Sequence, residues 1–250
     1  RANAYDQKGE LMNTPKTVIN TKSASAKRML RLLAMCILIP TSLALGVMLW
    51  NDRQYPLVIL IITIIGNIPF FLSFERGQIK TRRIAVLAVM IALAVAGRFL
   101  FAAIPGFKPV TAIVVISGLC LGPEAGFMTG SMSALLSNIY FGQGPWTPFQ
   151  MFVWGLIGLI AGLLSMRGQL TKTIPVCLYG ALAGGIYSLL MDIWTVVSVD
   201  GTFTLARYLA VITASLPTTV IYIISNVLFL LLLFQPLSKK LNRLKTKYGI

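Results

Sequence analysis

The chain of 250 residues contains no histidine. This removes the commonest general base, the commonest metal ligand and any Ser/His or Cys/His catalytic pair. Acidic residues are scarce, seven Asp and Glu against 22 Lys and Arg, too few within the apolar stretches for an obvious proton relay. A G-x-x-x-x-G-K-[ST] phosphate loop and a G-x-S-x-G elbow are both missing, which excludes ATP hydrolysis by the first route and the usual serine-hydrolase turn. The three cysteines, Cys36, Cys120 and Cys177, fall in apolar stretches without metal-type spacing and read as packing residues. The expectation is a chain that is not an enzyme, with no metal ligands and no covalently bound cofactor.

What is abundant is apolar side chain. The chain is 56% hydrophobic and 12% charged, too apolar for a soluble domain that must cover its surface with polar groups. Several nearly charge-free stretches of about 20 residues are long enough to cross a hydrocarbon core of about 30 Å. In lipid these must be helices, because a lone segment has to satisfy its own backbone hydrogen bonds. The sequence therefore predicts an all-α membrane protein of about eight membrane segments.

The spans are expected at Met29 to Trp50, Leu57 to Phe74, Ile84 to Ile104, Val110 to Leu121, Glu124 to Phe141, Phe149 to Met166, Ile174 to Val197 and Leu205 to Phe234. The fourth is short for a full crossing and is expected to be tilted or partly internal. Four regions follow: a basic arm over 1–28, an additional transmembrane hairpin over 29–81, a six-helix core over 82–236 and a basic tail over 237–250. Nothing in the arm resembles a secretory signal.

The net charge of +15 does not point to nucleic acid, because the basic residues flank the spans. With both termini cytoplasmic, 18 of them fall inside and only Arg53, Lys108 and Arg207 outside, leaving Arg98 within a span. Reversal would invert the ratio, so the positive-inside rule places both termini in the cytoplasm of a multi-pass plasma-membrane protein.

In that orientation the costly side chains gather near the outer face. Arg98 and Asp192 share a similar depth, and a charge there costs roughly 2 to 3 kcal/mol on insertion scales, so each is expected to face the bundle interior or water and to have a partner. They form either a structural ion pair or part of a ligand site. Asn138, Tyr140, Gln143, Trp146, Gln150, Trp154 and Tyr187 lie at nearby depths, with Lys108 on the adjoining loop. Apolar walls, flat aromatic faces and a few placed polar groups suit a heterocyclic small molecule. Trp146 and Trp194 fit an interfacial aromatic belt equally well. Glu124, in a first helical turn after Gly122-Pro123, reads as a structural residue favoured by the helix dipole.

Ala88, Ala92 and Ala96 recur at four-residue spacing and leave one helix face without relief. Such a face lets another helix approach closely, either within the bundle or on a partner.

The segment from about Arg82 to Pro236 resembles the S component of energy-coupling factor (ECF) vitamin transporters. The resemblance lies in the alanine-rich helix, Phe107-Lys108-Pro109-Val110, Leu121-Gly122-Pro123-Glu124-Ala125-Gly126 and Phe141-Gly142-Gln143-Gly144-Pro145-Trp146-Thr147-Pro148. It implies a six-helix subunit of a bacterial cell membrane that captures a vitamin outside. Docking through the alanine face onto a transmembrane coupling protein driven by two ATPases would complete the importer. Within the family the chain looks most like the branch linked to cobalamin and related corrinoids. Such a ligand would bring its own cobalt, with no imidazole from this chain. The hairpin and basic arm have no place in the six-helix pattern. The competing expectations are an S component for another vitamin or a purine-like precursor, and a self-sufficient secondary transporter or channel.

Overall fold

The computed structural model describes residues 81–248 together with Ile64, Asn67 and Ile68. Six helices account for nearly all of residues 81–248: α1 (Thr81–Leu100), α2 (Val110–Leu121), α3 (Pro123–Phe141), α4 (Trp146–Met166), α5 (Thr173–Asp200) and α6 (Leu205–Tyr248). The described residues contain no strand. Four helices, α1, α4, α5 and α6, are long and apolar enough to cross a membrane, and large side chains such as Leu100, Ile139, Ile174 and Leu182 stand exposed on the bundle. A surface of this kind is stable in lipid, and the chain is an all-α, multi-pass membrane protein.

Apart from Ile64, Asn67 and Ile68, the expected hairpin and the basic arm lie outside the described residues. Those three are helical, and Asn67 Nδ2 donates to the Pro148 carbonyl at the start of α4 (3.3 Å).

Helix α2 is the hub, with 11 of its 12 residues buried, so its continuous apolar sequence reflects protein on all sides. Glycine seams hold α3 and α4 against it and against each other. A Cβ at Gly118 or Gly126 would collide with the Gly158 carbonyl, and one at Gly130 with the Trp154 backbone. Where lipid is as apolar as leucine, close backbone approach replaces the hydrophobic effect as the source of association. The α5–α6 hairpin uses the same device: Gly180 meets Leu230, Gly184 meets the Tyr222–Ile223 backbone, and Asn226 Nδ2 donates to the Gly180 carbonyl (3.2 Å).

Two helix ends depart from expectation. Helix α1 stops at Leu100, four residues short of Ile104, and the chain continues through tight turns in which Ala102 bonds to Phe99 and Ile104 to Phe101. Pro105 explains this, because it disfavours the α conformation at Ile104. Helix α6 instead runs 14 residues past Phe234, through Pro236, absorbing the expected basic tail into one helix of 44 residues. Leu241 on this extension is buried, and Lys245 Nζ donates to the Cys120 carbonyl (2.8 Å) beside the Arg83 bond to Leu121 (2.8 Å). Both cations cap the carbonyl end of α2, where the helix dipole favours them.

Candidate functional site

At the end of the bundle away from these caps, the last turns of α1 and α3, the first turns of α4 and the middles of α5 and α6 surround a polar network. Arg98 Nη1 donates to Ser137 Oγ and to Asn138 Oδ1 (2.7 Å). Asn138 Nδ2 donates to Gln150 Oε1 (2.8 Å) and Thr147 Oγ1 (3.0 Å), and Gln150 Nε2 donates to Tyr187 Oη (2.8 Å). The polarity of this relay follows from Arg98. A guanidinium can only donate, so Asn138 must turn its oxygen toward it, which forces the amide onto the Gln150 oxygen and the Gln150 amide onto Tyr187. Asn138, Gln150 and Tyr187 are all buried, where an unpaired amide would cost about 1 to 3 kcal/mol.

Aromatic rings pack around the relay. Trp154 and Tyr187 stack with centroids 5.1 Å apart and planes 12° from parallel, and Tyr222 meets Tyr187 edge-on at 5.2 Å. The Arg98 guanidinium lies 4.6 Å from the Phe141 centroid and 5.5 Å from that of Trp154. Lys108 Nζ lies 5.8 Å from the Trp154 centroid and 5.0 Å from that of Tyr222. Trp154 itself is fully buried, yet its Nε1 finds no acceptor among the described residues.

Lys108 arrives by a route the sequence does not announce. The loop after α1 turns inward, and the Ser225 hydroxyl both accepts from the Lys108 amide (2.9 Å) and donates to its carbonyl (3.1 Å). Gly106 makes the turn with φ of 80°, and a side chain there would press on Thr218 and Ile221 of α6. A left-handed residue in so tight a space favours glycine. Since Lys108 belongs to this loop and not to a spanning helix, its charge is set by the loop's surroundings: burial, with the Arg98 charge adding to it, lowers its ammonium to about 7.

The network thus joins Arg98, Lys108, Asn138, Gln150, Trp154 and Tyr187. Tyr140, Gln143 and Trp146 stay at an exposed rim: Tyr140 packs on Phe99 and Phe141, and Gln143 Nε2 donates to the Leu135 carbonyl. Asp192 and Arg98 make no ion pair. Asp192 Oδ2 accepts from Ser215 (2.6 Å) on α6, because α5 turns this residue toward α6 while Arg98 faces α3. Trp194 is buried against Phe149, which makes it a packing residue and not part of an interfacial belt.

Ser137, Thr147 and Tyr222 join the network without having been singled out by sequence. Ser137 adjoins Asn138 and could have been found from it, whereas Tyr222 sits in an apolar run that carries no local signal.

A family model described as ECF-type riboflavin transporter, S component, matches residues 78–243. The chain belongs to that family. No curated protein and no solved structure matches it. An S component is the substrate-binding membrane subunit of an ECF transporter. The match supports the family and does not single out its cobalamin branch. In this S component Ala88, Ala92 and Ala96 all lie exposed on α1. Gly97, next to that face, is instead covered by Pro109 of the inward loop.

Proposed function

We propose that this S component captures a flat heteroaromatic vitamin in the network around Trp154, with riboflavin the first candidate. The observation that carries the reading is the stacked Trp154–Tyr187 pair, held in register by the directional relay from Arg98. An aromatic platform fixed by satisfied buried amides is pre-organised, so little entropy is lost when a planar ring docks on it. The family description favours a flavin, while a corrinoid is supported by resemblance alone.

In this reading the site opens to the outside of a bacterial plasma membrane, and both termini are cytoplasmic, as the distribution of Lys and Arg favours. The exposed alanines of α1 receive a transmembrane coupling protein powered by two ATPases, since the chain has no phosphate loop of its own. The test is a titration of the detergent-purified chain with riboflavin, read by quenching of flavin fluorescence, beside cyanocobalamin read by absorbance. Saturable binding of either vitamin supports the site, and Trp154→Phe should weaken it. Binding of neither, together with solute flux through the chain alone in liposomes, would instead establish a self-sufficient carrier.

A further inference from the structure

Arg98 and Lys108 form a pair of cations without an anion among the described residues. Both guanidinium and ammonium lie within 6 Å of the Trp154 ring. The described carboxylates are committed elsewhere: Asp192 accepts from Ser215, Asp200 pairs with Arg207 (2.9 Å), and Glu124 begins α3 at the opposite end of the bundle. Among the described residues, Lys108 Nζ lies over the Trp154 and Tyr222 rings, and the Trp154 indole N–H has no acceptor. Both are half-buried, and like charges withdrawn from water without a counter-ion are costly to fold. The Arg98 guanidinium and the Lys108 ammonium thus lie near a ring whose own N–H also lacks a partner, while the oxygens of Asn138, Gln150 and Tyr187 already accept bonds within the relay.

We propose that the vitamin bound here presents an oxyanion, a carboxylate or phosphate ester, that docks between Arg98 and Lys108 and accepts from Trp154 Nε1. The inference rests on the vitamin-binding reading and narrows it to anionic members of that class. A charged acceptor supplies the missing counter-ion, and charge-assisted bonds to two cations are roughly twice as strong as neutral ones. A flavin would meet the requirement as its 5′-phosphate, and a corrinoid through a phosphate ester.

Matched pairs that differ in the anion separate the outcomes. The purified chain is titrated with riboflavin and riboflavin 5′-phosphate, cobinamide and cobinamide phosphate, nicotinamide and nicotinate, and biotin methyl ester and biotin. The expected result is that, in the pair that binds, the anionic member binds at least about tenfold tighter. Lys108→Met should abolish that preference and Lys108→Arg should keep it, which guards against simple misfolding. Equal or tighter binding of the neutral member overturns the oxyanion and leaves vitamin capture standing. Failure of all four pairs to bind would overturn both for these vitamin classes.

Discussion

Trp154 of α4 and Tyr187 of α5 lie face to face, 5.1 Å between centroids and 12° from parallel. The tyrosine does two things there, since its ring completes the stack and its oxygen closes the relay from Arg98 through Asn138 and Gln150. These contributions separate by substitution. Tyr187→Phe keeps the ring but strands the Gln150 amide, and should cost about 1 to 3 kcal/mol of stability. Trp154→Phe keeps the relay and reduces the platform, and should weaken ligand binding by about three- to tenfold, given about 0.5 to 1.5 kcal/mol for such a ring contact. Thermal unfolding in detergent and ligand titration of both variants check the division. An unchanged unfolding midpoint for Tyr187→Phe would mean that Gln150 finds another acceptor.

Arg98 and Asp192 hold separate partners, Asn138 with Ser137 in one case and Ser215 in the other. Without a shared bond their effects on stability should add within about 0.5 kcal/mol. A double-mutant cycle with Arg98→Gln and Asp192→Asn, followed by thermal unfolding without ligand, tests this. A coupling above about 1 kcal/mol would show that the two charges sense each other through the interior.

The parts of this architecture that were legible are those set by local chemistry. Gly122-Pro123 separates α2 from α3, and Gly142 to Pro145 separates α3 from α4, because Gly and Pro act on their own residues and immediate neighbours. The polarity of Asn138, Gln150 and Tyr187 was equally visible, since costly groups in apolar spans demand partners. The inward fold of Lys108 was not. It depends on a hydroxyl 117 positions away, Ser225, and nothing in the loop distinguishes it from a surface turn. That Asp192 does not pair directly with Arg98 is not legible for a related reason: depth along a helix is readable, but azimuth in a bundle of nearly all-apolar helices is not. The α6 extension is not legible in the sequence because Pro236 reads as a stop, and only the burial of Leu241 and the bond from Lys245 to α2 explain its persistence.

Lys108 should make anion binding depend on pH. In the free protein its ammonium is lowered from 10.5 to about 7; the groups facing it are Arg98 from α1, Tyr222 from α6 and the Trp154 ring from α4. An anionic ligand favours the ammonium and raises its pKa, so binding takes up a proton. Affinity is then fully present below about pH 7 and falls above it, by at most tenfold per unit. For the ligand-free protein the sign reverses. The unfolded lysine keeps its proton up to 10.5, the unfolded state binds more protons in the window from 7 to 10.5, and stability rises across it. Titrations from pH 6 to 9 in two buffers of different ionisation heat would register the proton uptake. Lys108→Arg, which stays charged, should flatten both curves.

The exposed alanines of α1 lead to the last prediction. Ala88, Ala92 and Ala96 present a smooth exposed face, while Arg98 of the same helix points to α3 through Ser137 and Asn138. In the proposed reading, docking and binding occupy different sides of one helix. Helix association in lipid depends on close backbone approach, so bulk at the contact acts sterically and without changing charge. Ala92→Trp should hold the coupling protein away while leaving the relay and the Trp154–Tyr187 stack untouched. The isolated variant should bind ligand within about twofold of the parent, since surface substitutions away from packed features stay within about 0.5 kcal/mol. ATP-dependent uptake by the complex reconstituted with its coupling protein and ATPases should fall by at least about tenfold, the result of losing one close-packed contact worth about 1.4 kcal/mol or more. Normal uptake by the Ala88→Trp/Ala92→Trp double variant would place the docking surface elsewhere. Loss of ligand binding by the isolated Ala92→Trp chain would instead show that this face is covered from within the protein, by a segment such as the one that carries Asn67.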